Sequence, residues 1–184
     1  WSGRSRTSAP PTPRTSSRAA APMDLMEAKS RVAEALVESI FRRARYEVIP
    51  YRREGAAGLR IGREDFSPNF RVRLDGAAPV REFLIEARYH PSIDQFLSVE
   101  EQRGERSLFQ IARRQWPDLY FVLVSDRPES GRSCFQAFPL SAWAPGMRCQ
   151  TTDLARLEEM GIFPHNVTDH EQLIRRIFAL LSGA

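Results

Sequence analysis

The stretch Arg81-Glu82-Phe83-Leu84-Ile85-Glu86-Ala87-Arg88-Tyr89 decides how the rest of this chain is read. Its β-branched and aromatic content, bounded upstream by the turn signal Asp75-Gly76, predicts a strand over 80–89. Side chains alternate between the two faces of a strand, so Phe83, Ile85, Ala87 and Tyr89 share one face. Glu82, Leu84, Glu86 and Arg88 share the other. A carboxylate and a guanidinium therefore stand two residues apart beside apolar neighbours. Desolvating a carboxylate there is costly unless a cation or a metal meets it.

Upstream, Val32, Ala33, Leu36, Val37, Ile40, Phe41 and Ala44 recur at three- and four-residue steps, which predicts an amphipathic helix over 24–45. Residues 46–51 read as a strand ending near Pro50, and Gly55, Gly58 and Gly62 mark a loop or hairpin. A second strand follows at 70–74, where Phe70, Val72 and Leu74 alternate with Arg71 and Arg73. Downstream, Ser98-Val99-Glu100-Glu101 has the form of a capping box opening a helix to about Gln115, stopped by Trp116-Pro117. The apolar run 119–125 reads as a central buried strand, and 133–138 as one more. A short helix is expected over 153–160, closed by Gly161. A final helix is expected with Thr168 and Glu171 as its capping box and Leu173, Ile174, Ile177, Phe178 and Leu181 as its buried face. The order is helix, three strands, helix, two strands, then helical packing, which implies an α/β domain with a mixed sheet flanked by helices.

Composition limits what the domain does. The chain has 184 residues with 42% hydrophobic and 27% charged, enough for one globular domain. No run approaches the roughly 18 consecutive apolar residues that a membrane helix needs. The net charge is +4, and Arg4, Arg6, Arg14 and Arg18 carry all of it. Residues 1–22, rich in Ser, Pro and Arg and poor in apolar groups, read as a disordered tail. A folded domain over 23–184 is then electrically balanced, and any nucleic-acid contact must come from a local patch rather than a global field. Cys134 and Cys149 lack metal-ligand spacing and read as two reduced thiols of a cytoplasmic protein.

Phe83-Leu84-Ile85-Glu86-Ala87-Arg88-Tyr89 resembles the hydrophobic, Glu-x-Lys strand of the PD-(D/E)XK, or restriction-endonuclease-like, superfamily. Ser67-Pro68-Asn69-Phe70-Arg71-Val72 is similar to the preceding Pro-Asp motif, and Arg31-Val32-Ala33-Glu34-Ala35-Leu36-Val37 to the leading helix with its Glu. The element order over roughly 24–140 is similar to that family's αβββαβ core, here with additional C-terminal helices. The resemblance implies a metal-dependent nuclease acting on DNA, or a descendant of one. Asn69, Glu86 and Glu34 would stand at the magnesium-binding positions, and Glu86 and Arg88 at the catalytic ones. A hard cation takes oxygen ligands, neutralises phosphate charge and acidifies bound water. Asn69 stands where the family has Asp and removes a unit of negative charge. Arg88 stands where it has Lys, and keeps the charge without being able to act as a base. Asp65 and Asp75 are the nearby carboxylates that could replace the lost one.

Plainer roles compete with each of these. Glu86 and Arg88 also suit a structural ion pair, and Glu34 a boundary carboxylate beside an apolar stripe. His90, His165 and His170 read as surface or turn residues, and Trp116 and Trp143 as packing residues. Arg42, Arg43, Arg45, Arg52 and Arg53 form a basic run that fits either a solvated face or phosphate contact. Three functions stay open: a nuclease, a non-catalytic nucleic-acid-binding module on the same fold, and a protein-binding module.

Overall fold

A computed structural model describes residues 24–51, 59–61, 64–76 and 80–183; the side chains of 59–61, 64 and 65 are not described. The expected tail 1–22, Arg52, Arg53, and the glycines at 55, 58 and 62 lie outside the described residues. Helix α1 spans Leu25–Arg43 and is followed by strand β1, Glu47–Pro50. A short hairpin, β2 (Leu59–Ile61) and β3 (Glu64–Phe66), forms its own two-stranded sheet. Then come β4, Phe70–Leu74, and β5, Arg81–Tyr89. Helices α2 (Ile93–Arg103) and α3 (Leu108–Gln115) cross over to β6, Leu119–Val124. Strands β7 (Phe135–Pro139) and β8 (Thr152–Asp153) follow, and α4, Pro164–Leu181, closes the described chain. None of the described helices is long and apolar enough to cross a membrane.

The main sheet is mixed and runs in the order β1-β4-β5-β6-β7-β8. The first three of these strands form an antiparallel meander, with Phe70 opposite Ile85 and Val48 opposite Val72. β5 and β6 are parallel, which requires the long helical crossover between them. β7 returns antiparallel. The chain is therefore an α/β protein with helices on both faces of a mixed six-stranded sheet.

Alternation along β5 separates two cores. Ile85, Ala87 and Tyr89 pack with Val37, Ile40 and Phe41 of α1 and Ile174 and Phe178 of α4. On the other face, Phe121 and Leu123 of β6 join Phe96 and Leu97 of α2 and Phe109 of α3, with Leu84 against them. Phe109 is edge-on to Phe121, Phe138 and Trp143, the geometry that aromatic rings prefer. Trp116 and Trp143 are buried packing residues, as their apolar surroundings in the sequence suggest. Both cysteines are buried and free.

Four local expectations are corrected. Ser98 does not open a helix: α2 begins at Ile93, where the Ser92 hydroxyl accepts from the Gln95 N–H at 3.3 Å. The expected single helix to Gln115 is broken at Gly104, whose φ of 53° and ψ of −119° suit only glycine. Residues 153–160 hold a short strand and a 3-10 turn in place of an α-helix, because Asp153 pairs with Gln136 of β7. α4 begins four residues before Thr168, with Pro164 in its first turn, where the missing N–H costs nothing. Its buried stripe is consequently Val167, His170, Ile174 and Phe178, while Leu173 and Leu181 are exposed.

Candidate functional site

The site anticipated from the sequence sits where β4 begins beside the middle of β5. Phe70 faces Ile85 across the ladder, so one step further Asn69 stands beside Glu86. Pro68 carries no N–H, and the ladder ends there. The Asn69 backbone N–H still donates to the Ile85 carbonyl at 2.9 Å, and beyond it the side chain takes over, its Oδ1 accepting the Ala87 N–H at 2.6 Å. Asn69 thus extends the β4–β5 pairing by one bond. An Asp oxygen would do the same, so its role here rests on an acceptor rather than on charge.

Glu86 is 5% exposed and faces the α2–α3 side of the sheet. Its Oε1 lies 3.4 Å from Arg88 Nη2. Arg88 keeps a side-chain exposure of 30% and places its guanidinium 6.0 Å from the ring centroid of Phe66. Phe66 in turn stacks on Phe121 and meets Trp116 edge-on. An apolar floor beneath the guanidinium reduces its hydration and strengthens any contact that it makes with an anion. The ion pair anticipated between Glu86 and Arg88 is therefore present, half-buried at the edge of the second core.

The same face continues across the meander. α2 and α3 cover β5, β6 and β7, but over β1 and β4 the sheet surface is open: Ile49, Arg71 and Arg73 are all exposed. Register places Arg71 beside Leu84 and Arg73 between Glu47 and Glu82. Arg71 lies 3.4 Å from Glu82, and Arg73 is 2.7 Å from Asp75. Three arginines therefore share one face, each facing a carboxylate. The two exposed pairs, Arg71–Glu82 and Arg73–Asp75, hold together weakly, about 0–1 kcal/mol, and exchange readily for a stronger anion.

Glu34 stands elsewhere. It is half-buried on α1, which packs against Ile85 and Ala87 on the opposite face of the sheet. The structure brings Asn69, Glu86 and Arg88 together and sets Glu34 across the sheet from them. Asp75 is exposed and tied to Arg73, and the Asp65 side chain lies outside the described residues. Among the described residues no group of three His, Cys, Asp or Glu is placed to hold a metal ion. At this corner one carboxylate faces a guanidinium, and one amide oxygen is committed to the backbone.

Several charged residues have roles that composition could not reveal. Glu100, 2% exposed, turns back to accept from the Leu108 N–H at 2.6 Å and the Ser107 hydroxyl at 3.2 Å, capping α3 from the preceding helix. Glu101 accepts from the Cys149 N–H. His170, expected at the surface, is buried instead. Its Nδ1 meets the Asn166 carbonyl at 2.8 Å and its Nε2 the Ser39 hydroxyl at 2.9 Å. Burial, with Arg43 nearby, pulls its pKa below the usual histidine value. Lys29, also buried, holds its ammonium 5.1 Å from the Phe178 ring and 5.6 Å from the Tyr89 ring. The period-3.6 position of His170, three after Val167 and four before Ile174, was the sequence signal for its burial.

Comparison with protein families, curated proteins and solved structures finds no match for this chain.

Proposed function

We propose that this chain is a PD-(D/E)XK-like protein that binds the phosphodiester backbone of DNA on the open face of β1 and β4, up to Arg88 at the border with β5, without cleaving it. The observation that carries the proposal is the meeting of Asn69, Glu86 and Arg88 on adjacent strands, at the positions the resemblance assigns to them. The element order supports it: one helix, a three-stranded antiparallel meander, a helical crossover and a parallel strand follow the αβββαβ order expected of that core. Arg88, seated over Phe66, supplies the least solvated of the three cations, and Arg71 and Arg73 extend the contact along the strands. A phosphate competes for each guanidinium with a carboxylate already beside it, so binding is modest and strongly screened by salt. Loss of hydrolysis follows from charge: Asn69 brings none, Arg88 offsets that of Glu86, and Arg88 cannot take a proton from water.

The test is fluorescence anisotropy of a labelled DNA duplex with the full chain, in EDTA and then in magnesium or manganese. Binding in EDTA is expected, with Arg71→Ala, Arg73→Ala and Arg88→Ala each weakening it relative to the wild type. Three phosphate contacts on this face predict that the triple variant lowers the slope of log K against log salt by about 3. If the triple variant binds as the wild type does, this face is not the contact surface. Cleavage that requires a divalent ion and disappears in Glu86→Ala would replace the proposal with a metal-dependent nuclease.

A further inference from the structure

A second site of different character lies across the sheet, in the layer formed by α1 and α4. A cavity of about 430 Å³ separates the C-terminal end of α1 from the N-terminal end of α4, lined by Arg43, Ala44, Arg45, Phe163, His165 and Asn166. Small-molecule sites fall in the range of roughly 300–1,000 Å³. Three features of this cavity can receive an anion.

Asn166 is the first. It is 3% exposed, its N–H donates to the Phe163 carbonyl and its carbonyl accepts from His170. Its side-chain amide makes no hydrogen bond among the described residues, although it lines the cavity. An amide that lines a cavity without a protein partner is available there to a ligand.

The start of α4 is the second. Phe163 occupies the N-cap and offers no side-chain acceptor, and Pro164 has no N–H. Among the described residues the Asn166 N–H already meets the Phe163 carbonyl, which leaves the His165 N–H as the open donor of this first turn, at the positive end of an 18-residue helix.

Arg45 is the third. It is exposed, and its guanidinium has neither an ion pair nor a hydrogen bond among the described residues. Its backbone φ is 68°, a left-handed conformation in the position after a helix where glycine is the unstrained choice. Arg43 is held at 2.7 Å by Asp169, so Arg45 is the cation left for a ligand. At the rim, Phe163 is 65% exposed and lies parallel to the His165 ring, centroids 5.8 Å apart and planes 13° apart. Parallel, half-open aromatic rings are a surface on which a base can stack.

We infer that this cavity is a nucleotide site. The phosphate takes Arg45, the Asn166 amide and the His165 N–H, and the base lies against the Phe163–His165 pair. This site is independent of the sheet face that carries Arg88.

The experiment is calorimetric titration of the full chain with AMP, inorganic phosphate and adenosine. Single-stranded oligonucleotides with and without a 5′ phosphate form the second arm. AMP is expected to bind about tenfold more tightly than inorganic phosphate, because only it engages the aromatic pair, and adenosine is expected to bind far more weakly than either. Arg45→Gly should weaken AMP at least about tenfold while holding or raising the melting temperature, since glycine relieves the positive φ. Asn166→Asp, nearly isosteric and favourable for a helix start, should weaken AMP by a similar factor through charge repulsion, and Arg88→Ala should leave it unchanged. A 5′-phosphorylated oligonucleotide that binds more tightly than AMP identifies a nucleic-acid end as the source of the nucleotide, and equal or weaker binding identifies a free nucleotide. Failure of AMP to bind, equal binding of adenosine and AMP, equal binding of phosphate and AMP, or an Arg45→Gly protein that binds AMP like the wild type would each overturn the inference.

Discussion

Replacing Glu100 by alanine should destabilise this protein more than any surface carboxylate change. The Glu100 side chain is 2% exposed and accepts three hydrogen bonds, from the Leu108 N–H, the Ser107 hydroxyl and Arg103 Nη1. The Arg103 contact contributes little, because that side chain is more than half exposed. The other two donors are buried at the start of α3 and lose their acceptor when the carboxylate is removed. An orphaned buried donor costs about 1–3 kcal/mol, and loss of a helix cap about 1 kcal/mol. Since the two overlap, the expected loss for Glu100→Ala is about 3 kcal/mol. Glu100→Gln keeps one acceptor oxygen and should lose about half as much. With an m-value of about 2 kcal/mol/M, urea unfolding should show the midpoint falling by roughly 1.5 M in the alanine variant at unchanged m. Glu105→Ala, whose carboxylate is exposed, serves as the control and should stay within about 0.5 kcal/mol of the wild type. If Glu100→Ala costs less than about 1 kcal/mol, α3 is not capped from α2, and the account of the break between the two helices is wrong.

Gly104→Ala should cost about 1–3 kcal/mol although the site has open space for a methyl group, because the cost is backbone strain; circular dichroism melts would check it, and an unchanged Tm would contradict the assignment. Burial lowers the His170 pKa below its unfolded value, so the unfolded state takes up the proton first as pH falls. Stability should therefore be full above about pH 6.5 and decline through the acidic range, and His170→Gln should flatten that part of a urea-midpoint-against-pH curve. Burial also pushes the Cys149 thiol up to about 12 and raises that of Cys134, so neither should react with iodoacetamide at pH 8 until the protein is unfolded. Mass spectrometry of the native and denatured protein would show it, and rapid native alkylation of either cysteine would refute the packing around it.

Much of the fold could be read locally. The 3.6-residue stripe of α1, the alternation of β4 and β5 and the apolar run of β6 each record burial directly, because a side chain's distance from water follows from the period of its element. The pairing of Glu86 with Arg88 follows from the same alternation. The capping motifs misled for a physical reason: Ser98-x-x-Glu101 and Thr168-x-x-Glu171 have the right spacing, but a cap forms only where the chain already turns. Those turns lie at Ser92 and Phe163, set by the ends of β5 and of the turn after β8. Glu101 and Glu171 are used instead by backbone groups at Cys149 and Cys134, far away in sequence.

The sequence by itself determined α1, the strands β4, β5 and β6, and which residues of β5 share a face, since these depend on periods of a few residues. Only the tertiary structure decided what each polar group faces. It set Glu34 across the sheet from Glu86, turned Asn69 into a ladder acceptor, drew Glu100 under α3, and opened a cavity between Arg45 and Asn166. Those outcomes depend on contacts between elements tens of residues apart, and no local pattern records the direction from which a partner arrives.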